Sequence, residues 1–222
     1  MKKIAVIYII LIIVGIIYSY SLSNTQTTAM PVDDKNIIID AGHGGYDPGK
    51  VATDGTEEKD INLSIAEILV GYMRQGGANV TLTRISDEAL SEDKKKDLKQ
   101  RAQFAKSEDT DIFISIHQNS FPREDVHGAQ VFYKKDSEAG KSLAIAIQKR
   151  LAEVADVGNT RVPKADGSYY ILKNSTIPSV IVECGFLSND EEKEKLLDEE
   201  YRKHIAWAIY MGVLDYCGEG NV

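Results

Sequence analysis

Apolar runs too short for helices alternate along this chain with longer stretches of helical period, and that alternation restricts the fold more than any single residue does. "NIIID" (36–40), "ANVTLTR" (78–84), "DIFISIH" (111–117), "GAQVFYKK" (128–135) and "IPSVIVECGF" (177–186) read as strands. The first, third and last are nearly continuous in Ile, Val and Phe, as strands covered on both faces are. Pro178 stands at the opening of its strand, where a missing N–H costs least. Between the strands, "INLSIAEILVGYMRQGG" places apolar side chains at 61, 65, 68, 69, 72 and 73, one helical face, and Gly76-Gly77 closes it. "SEDKKKDLKQRAQFAKSED" reads as a charged helix with Leu98, Ala102 and Ala105 inward, and "SEAGKSLAIAIQKRLAEVA" reads as another. "EEKEKLLDEEYRKHIAWAIYMGVLDYC" supplies one or two more. The expectation is an α/β fold: a mostly parallel twisted sheet with helices on both faces and its active site at the carboxyl edge of the strands.

Ahead of the first strand the chemistry differs. Lys2-Lys3 is followed by "IAVIYIILIIVGIIYSY" (4–20), apolar and uncharged, and then by a polar stretch. This pattern predicts an export signal or N-terminal membrane anchor over 1–29, a linker over 30–35, and one catalytic-size domain over 36–217 that works outside the cytoplasm. Lys2 and Lys3 are the only charges before Asp33, which leaves 24 basic against 34 acidic side chains, a net of −10. Such an acidic body argues against nucleic acid as a partner. Cys184 and Cys217 are read as reduced and buried.

Three of the strands end in residues able to do chemistry. The first delivers His43 in "IDAGHGGYDPGK", the third ends at His117, and the last carries Glu183. The plainer reading of the first motif is a tight turn, since glycine accepts positive φ. The chemical reading is that small residues let a ligand approach a histidine. Glu57 or Glu58, at the start of the first helix, adds a carboxylate that could instead simply favour a helix N-terminus; spacing does not choose between the two. A glutamate directly after "SVIV" is costly to bury unless paired or catalytic. Two histidines and a carboxylate around zinc leave one position for water, and a further carboxylate can move its proton. His127, after a charged loop, and His204, on a charged helix, are read as ordinary.

In order along the chain, "IIIDAGHGGYDPG", "EEKDINL", "DIFISIHQNS" and "IPSVIVECGFLSN" resemble the zinc-dependent N-acetylmuramoyl-L-alanine amidases of the Amidase_3 type, over nearly all of residues 36–216. Within that family the chain is most similar to the exported sporulation amidases of spore-cortex peptidoglycan. The resemblance implies one Zn²⁺ held by His43, by Glu58 rather than Glu57, and by His117, with Glu183 as the catalytic carboxylate. It implies hydrolysis of the amide between the lactyl group of N-acetylmuramic acid and L-alanine of the stem peptide. The sequence departs from the common pattern at Ala41, Gln118 and Cys184, and Gln118 adjoins a ligand, where it bears on zinc affinity. Asn119 and Arg161 are candidate substrate contacts, Arg161 for a stem-peptide carboxylate. An accessory protein that helps the site hold metal or meet cortex is a further expectation. The rival readings are a wall-peptide carboxypeptidase with the same metal chemistry, and a non-catalytic wall-binding protein.

Overall fold

The computed structural model of the chain describes residues 12–16 and 29–220. Most of the apolar segment 4–20 and of the export segment 1–29 lies outside the described residues; 12–16 form a short exposed helical piece. Among the described residues no helix is long and apolar enough to cross a membrane.

Six strands form one sheet: β1 (Asn36–Ala41), β2 (Asn79–Leu82), β3 (Ile112–Asn119), β4 (Gln130–Lys134), β5 (Lys164–Asp166) and β6 (Ser179–Phe186), in the order β2-β1-β3-β6-β4-β5. The four strands from β2 to β6 run parallel; β4 pairs antiparallel with β6, and β5 runs parallel to β4. Among described residues 29–220, six α-helices accompany them: α1 (Glu58–Gln75), α2 (Lys94–Phe104), α3 (Glu138–Arg150), α4 (Tyr170–Asn174), α5 (Asp190–Leu197) and α6 (Glu199–Gly218), with a π-helical turn (Leu151–Ala155) extending α3.

Alternation along the strands explains why both faces are covered. Ile37, Ile39, Ile112, Ile114, Ile116, Val180 and Val182 join the main core with Ile65, Leu69 and Met73 of α1, Leu143 and Ile147 of α3, and Ile205 and Ile209 of α6. The intervening residues point the other way: Ile38 and Phe113 pack with Ala105 and Ile171, and Ile181 with Phe132 and Leu172. The stretch expected as a linker docks on this body, with Val32 fully buried in the main core and the Asp34 N–H donating to Gly77 O at 3.2 Å. Both cysteines are free thiols; Cys184 is buried and Cys217 half-buried.

The inner face of α2 differs from expectation. Its N-terminus is capped by Asp93, which accepts from the Lys96 N–H at 2.9 Å, and Ala102 is buried; Leu98 is only half-buried, and Asp97 and Arg101 turn inward instead. Arg101 donates to Asp40 Oδ1 at 2.6 Å, to Asp97 Oδ2 at 2.7 Å, to Ala41 O at 2.8 Å and to His43 O at 2.7 Å. Asp40 also accepts from the hydroxyls of Thr83 at 2.8 Å and Ser115 at 2.6 Å. Burial pushes the Asp40 carboxyl up, but the Arg101 charge and the two hydroxyls outweigh it and hold it below its ordinary 3.8. The stability this lends is present above 3.8 and is lost as pH falls further. Arg101→Met, which strands a buried carboxylate, is expected to cost about 3–5 kcal/mol in urea unfolding at neutral pH. The gap to the parent protein should narrow as pH falls below about 4, because burial already keeps Asp40 protonated in the variant while the parent progressively loses the stability of its ionised pair.

Candidate metal and amidase site

At the carboxyl edge, β1 runs out into a loop that carries His43 with φ 62°, the left-handed region that side-chain-bearing residues rarely adopt. Two arginines hold this exit. Arg84, just past β2, donates to Ala41 O at 3.0 Å, to Gly42 O at 3.2 Å and to Lys59 O at 2.6 Å, and so ties the loop to the start of α1. Arg101 takes the His43 carbonyl. A turn with reciprocal Gly44–Asp47 hydrogen bonds then returns Asp47 Oδ2 to 3.0 Å from His43 Nδ1, which leaves His43 Nε2 facing inward.

Glu58, the first residue of α1, points into the same space. Its Oε1 lies 3.2 Å from His43 Nε2 and 2.9 Å from His117 Nδ1, and accepts from Asn62 Nδ2 at 3.2 Å and the Gln118 N–H at 3.1 Å. Its Oε2 accepts from the Lys50 N–H at 2.8 Å. Glu57 faces outward and pairs with Lys59 at 3.1 Å, so the geometry separates the two glutamates that spacing left open. One ligating atom each from His43, Glu58 and His117 lies within 4.8 Å of the others, an arrangement that could hold a metal ion. The glycines make the room. A Cβ on Gly42 would stand 2.3 Å from His117 Cε1, and one on Gly49 would stand 2.5 Å from Glu58 Oε2.

Glu183 is the cross-strand partner of His117 in the β3–β6 register. It is buried; Oε1 accepts from the Tyr169 hydroxyl at 3.0 Å, and Oε2 has no hydrogen-bond partner. The two candidate substrate contacts are more occupied. Asn119, past a register shift in β3, accepts from the Ser120 N–H through its own side chain at 2.8 Å. Arg161 donates to His127 O at 2.6 Å and to Gln130 Oε1 at 3.2 Å, and lies over the Phe186 ring at 4.8 Å. Gln130 is itself the cross-strand neighbour of Glu183, so Arg161 stands one residue beyond the buried carboxylate. His127 and His204 are exposed. A groove of about 830 Å³ between β1, β2 and α2 lies toward the amino end of the strands, among Asn36, Asn79, Gln103 and Phe104, and away from these groups.

The profile described as Amidase_3, N-acetylmuramoyl-L-alanine amidase, matches residues 37–215. The chain belongs to this amidase family. The germination-specific N-acetylmuramoyl-L-alanine amidase of Bacillus subtilis (strain 168) is 33% identical over 219 residues, 94% of this chain and 92% of that protein. Among solved structures, the CwlD amidase of Clostridioides difficile, in complex with the GerS lipoprotein, is 42% identical with a TM-score of 0.80, over 84% of this chain and 100% of that one. The catalytic domain of CwlV, an N-acetylmuramoyl-L-alanine amidase from Bacillus (Paenibacillus) polymyxa, is 31% identical with a TM-score of 0.73, over 82% of this chain and 97% of that one. The chain is thus a peptidoglycan N-acetylmuramoyl-L-alanine amidase with the fold of its relatives.

Within this amidase the two carboxylates are driven apart. Burial pushes Glu58 up, but the hydrogen bonds and charges of His117 and His43 prevail and hold it well below the usual carboxylate range. Burial raises Glu183, with the nearby Glu58 charge adding to it and His117 opposing. One group stays ionised as an acceptor of positive charge; the other holds a proton more readily.

Sequence reading did not find Arg84, Arg101, Asp47, Asn62 or Tyr169. Arg84 alone carried a usable signal, since it follows a strand at the same carboxyl edge as the other site residues. Gly42→Ala, which drives a methyl group into the His117 ring, is expected to lower amidase activity about 100-fold by misplacing that ring. Release of dye-labelled peptidoglycan, with circular dichroism to show that the fold persists, checks this.

Proposed function

We propose that His43, Glu58 and His117 hold one Zn²⁺ and that Glu183 carries the proton in hydrolysis of the N-acetylmuramoyl-L-alanine amide of cortex peptidoglycan. The observation that carries this reading is the cluster of three ligating atoms within 4.8 Å beside a buried carboxylate with one bare oxygen. Two imidazoles and one carboxylate suit zinc with a position left open, and the missing Cβ atoms of Gly42 and Gly49 leave space beside them. Asp47 keeps the Nδ1 proton of His43 occupied and so fixes which nitrogen serves the cluster. When bound, zinc supplies a Lewis acid for the lactyl carbonyl and for water.

The chain's own groups do the rest. Glu183 takes a proton from the attacking water as the water oxygen joins the lactyl carbon. It returns that proton to the departing nitrogen as the carbon–nitrogen bond breaks. The products are a free lactyl carboxylate on the glycan and an intact stem peptide with a free L-alanine amine. Arg161, beyond Glu183 on the side of the leaving amine, meets a stem-peptide carboxylate, and Asn119 contacts the substrate near His117.

The cortex assignment is supported by the likeness to the germination-specific amidase of Bacillus subtilis and to CwlD. The latter's complex with a lipoprotein supports an accessory partner of that kind for this chain. Residues 1–29 export or anchor the protein, and 36–217 form the catalytic domain, against which 30–35 pack through Val32.

Glu183→Gln is expected to keep one zinc per chain and lose roughly 100- to 10,000-fold in kcat. His43→Ala is expected to lose metal and activity together. Metal analysis with mass spectrometry of digested sacculi reads both. Intact stems with free L-alanine termini support the reading, whereas release of single amino acids would assign a carboxypeptidase.

A further inference from the structure

The two oxygens of Glu183 are not equivalent. Oε1 accepts the Tyr169 hydroxyl at 3.0 Å; Oε2 is buried and bare. A carboxylate turns readily about its last torsion, so without an anchor either oxygen could face the substrate. Tyr169 is itself well held. Its ring meets Phe132 edge-on, centroids 5.3 Å apart, at the rim of the small cluster of Phe132, Leu172 and Ile181. Its N–H donates to Asp166 Oδ1 at 3.2 Å, and the same oxygen accepts from the N–H and hydroxyl of Ser168, each at 2.6 Å. This turn leads from β5 into α4, so the phenol is presented by backbone fixed on both sides. Burial, with Glu183 adding its charge, pushes the phenol's pKa up, so Tyr169 remains a donor at neutral pH.

We propose that Tyr169 is a positioning residue for the amidase reaction: by donating to Oε1 of Glu183 it turns Oε2 toward the water and the departing amine nitrogen. The inference rests on Glu183 being the proton carrier. It adds that the direction of that carboxylate is set by a hydroxyl from the 164–170 segment. The hydrogen bond also favours the ionised form that must accept the proton, against burial that disfavours it. A packing role alone would be kept by phenylalanine, which preserves the ring against Phe132.

Tyr169→Phe, Glu183→Gln and Tyr170→Phe are compared in the zinc-loaded full chain by steady-state hydrolysis of purified cortex fragments, with zinc stoichiometry and thermal midpoint measured alongside. Tyr170 is exposed and serves as the control. Tyr169→Phe should lower kcat about tenfold or more, as loss of a hydrogen bond to a charged group does. KM should stay within about twofold of the parent, with zinc content and midpoint unchanged. Tyr170→Phe should match the parent, and Tyr169→Phe added to Glu183→Gln should cause no further loss. A Tyr169→Phe kcat within about twofold of the parent overturns the inference, as does a rise in KM with kcat unchanged. Loss of zinc or an early midpoint in Tyr169→Phe would make the residue structural and overturn it too. If Glu183→Gln itself turns over at the parent rate, the fault lies in the reading of Glu183, whatever Tyr169→Phe does.

Discussion

Everything at the carboxyl edge depends on the carbonyls of three consecutive residues, Ala41, Gly42 and His43, where β1 ends and passes into the loop. Arg84 and Arg101 take them. A guanidinium offers several donors in a fixed fork, so each arginine sets a direction as well as a distance. Arg84 also takes Lys59 O at 2.6 Å, which binds the loop that delivers His43 to the helix that delivers Glu58. Arg101 adds a buried charge, and Asp40 and Asp97 offset it. The left-handed backbone at His43 is strained for any residue with a side chain, and it persists because the clamp determines it from both ends.

The clamp makes an arrangement of charges possible that water would not tolerate. Glu58 Oε1 sits among two imidazoles, an amide and a backbone N–H, and the histidines outweigh burial to hold its carboxyl well below the usual carboxylate range. Glu183, on the neighbouring strand, sits where burial dominates, and its buried Oε2 has no hydrogen-bond partner. The sheet register sets the relation between them, since His117 and Glu183 are direct cross-strand partners. A slip of one residue in β3 or β6 would turn one of them to the opposite face.

The fold class was legible because isoleucine and valine runs buried on both faces leave little choice except a parallel sheet. The short elements were not. β5 has three residues and α4 five, too few for any period, and they are held by the Asp166 turn and by packing on Phe132. Candidate site residues could be read wherever a strand ended in a polar side chain, as at His43, His117 and Glu183. Glu57 and Glu58 were indistinguishable in spacing. What separates them is the loop that folds back to place the Lys50 N–H on Glu58 Oε2. Arg101 was hidden in a lysine-rich segment that reads as a solvated helix. Its pairing with Asp97 at i and i+4 is a pattern common on surfaces, and only the close approach of Asp40 from β1 makes it internal.

The central claim is that two imidazoles and one carboxylate, brought from three distant segments by this scaffold, hold a single zinc ion. X-ray absorption at the zinc edge, on the full chain loaded with one equivalent of Zn²⁺, tests it most directly. The expected spectrum shows imidazole scattering at about 2.0–2.1 Å together with an oxygen shell and no sulfur. A sulfur shell at about 2.3 Å, or an ion surrounded by water oxygens without imidazole, would contradict it.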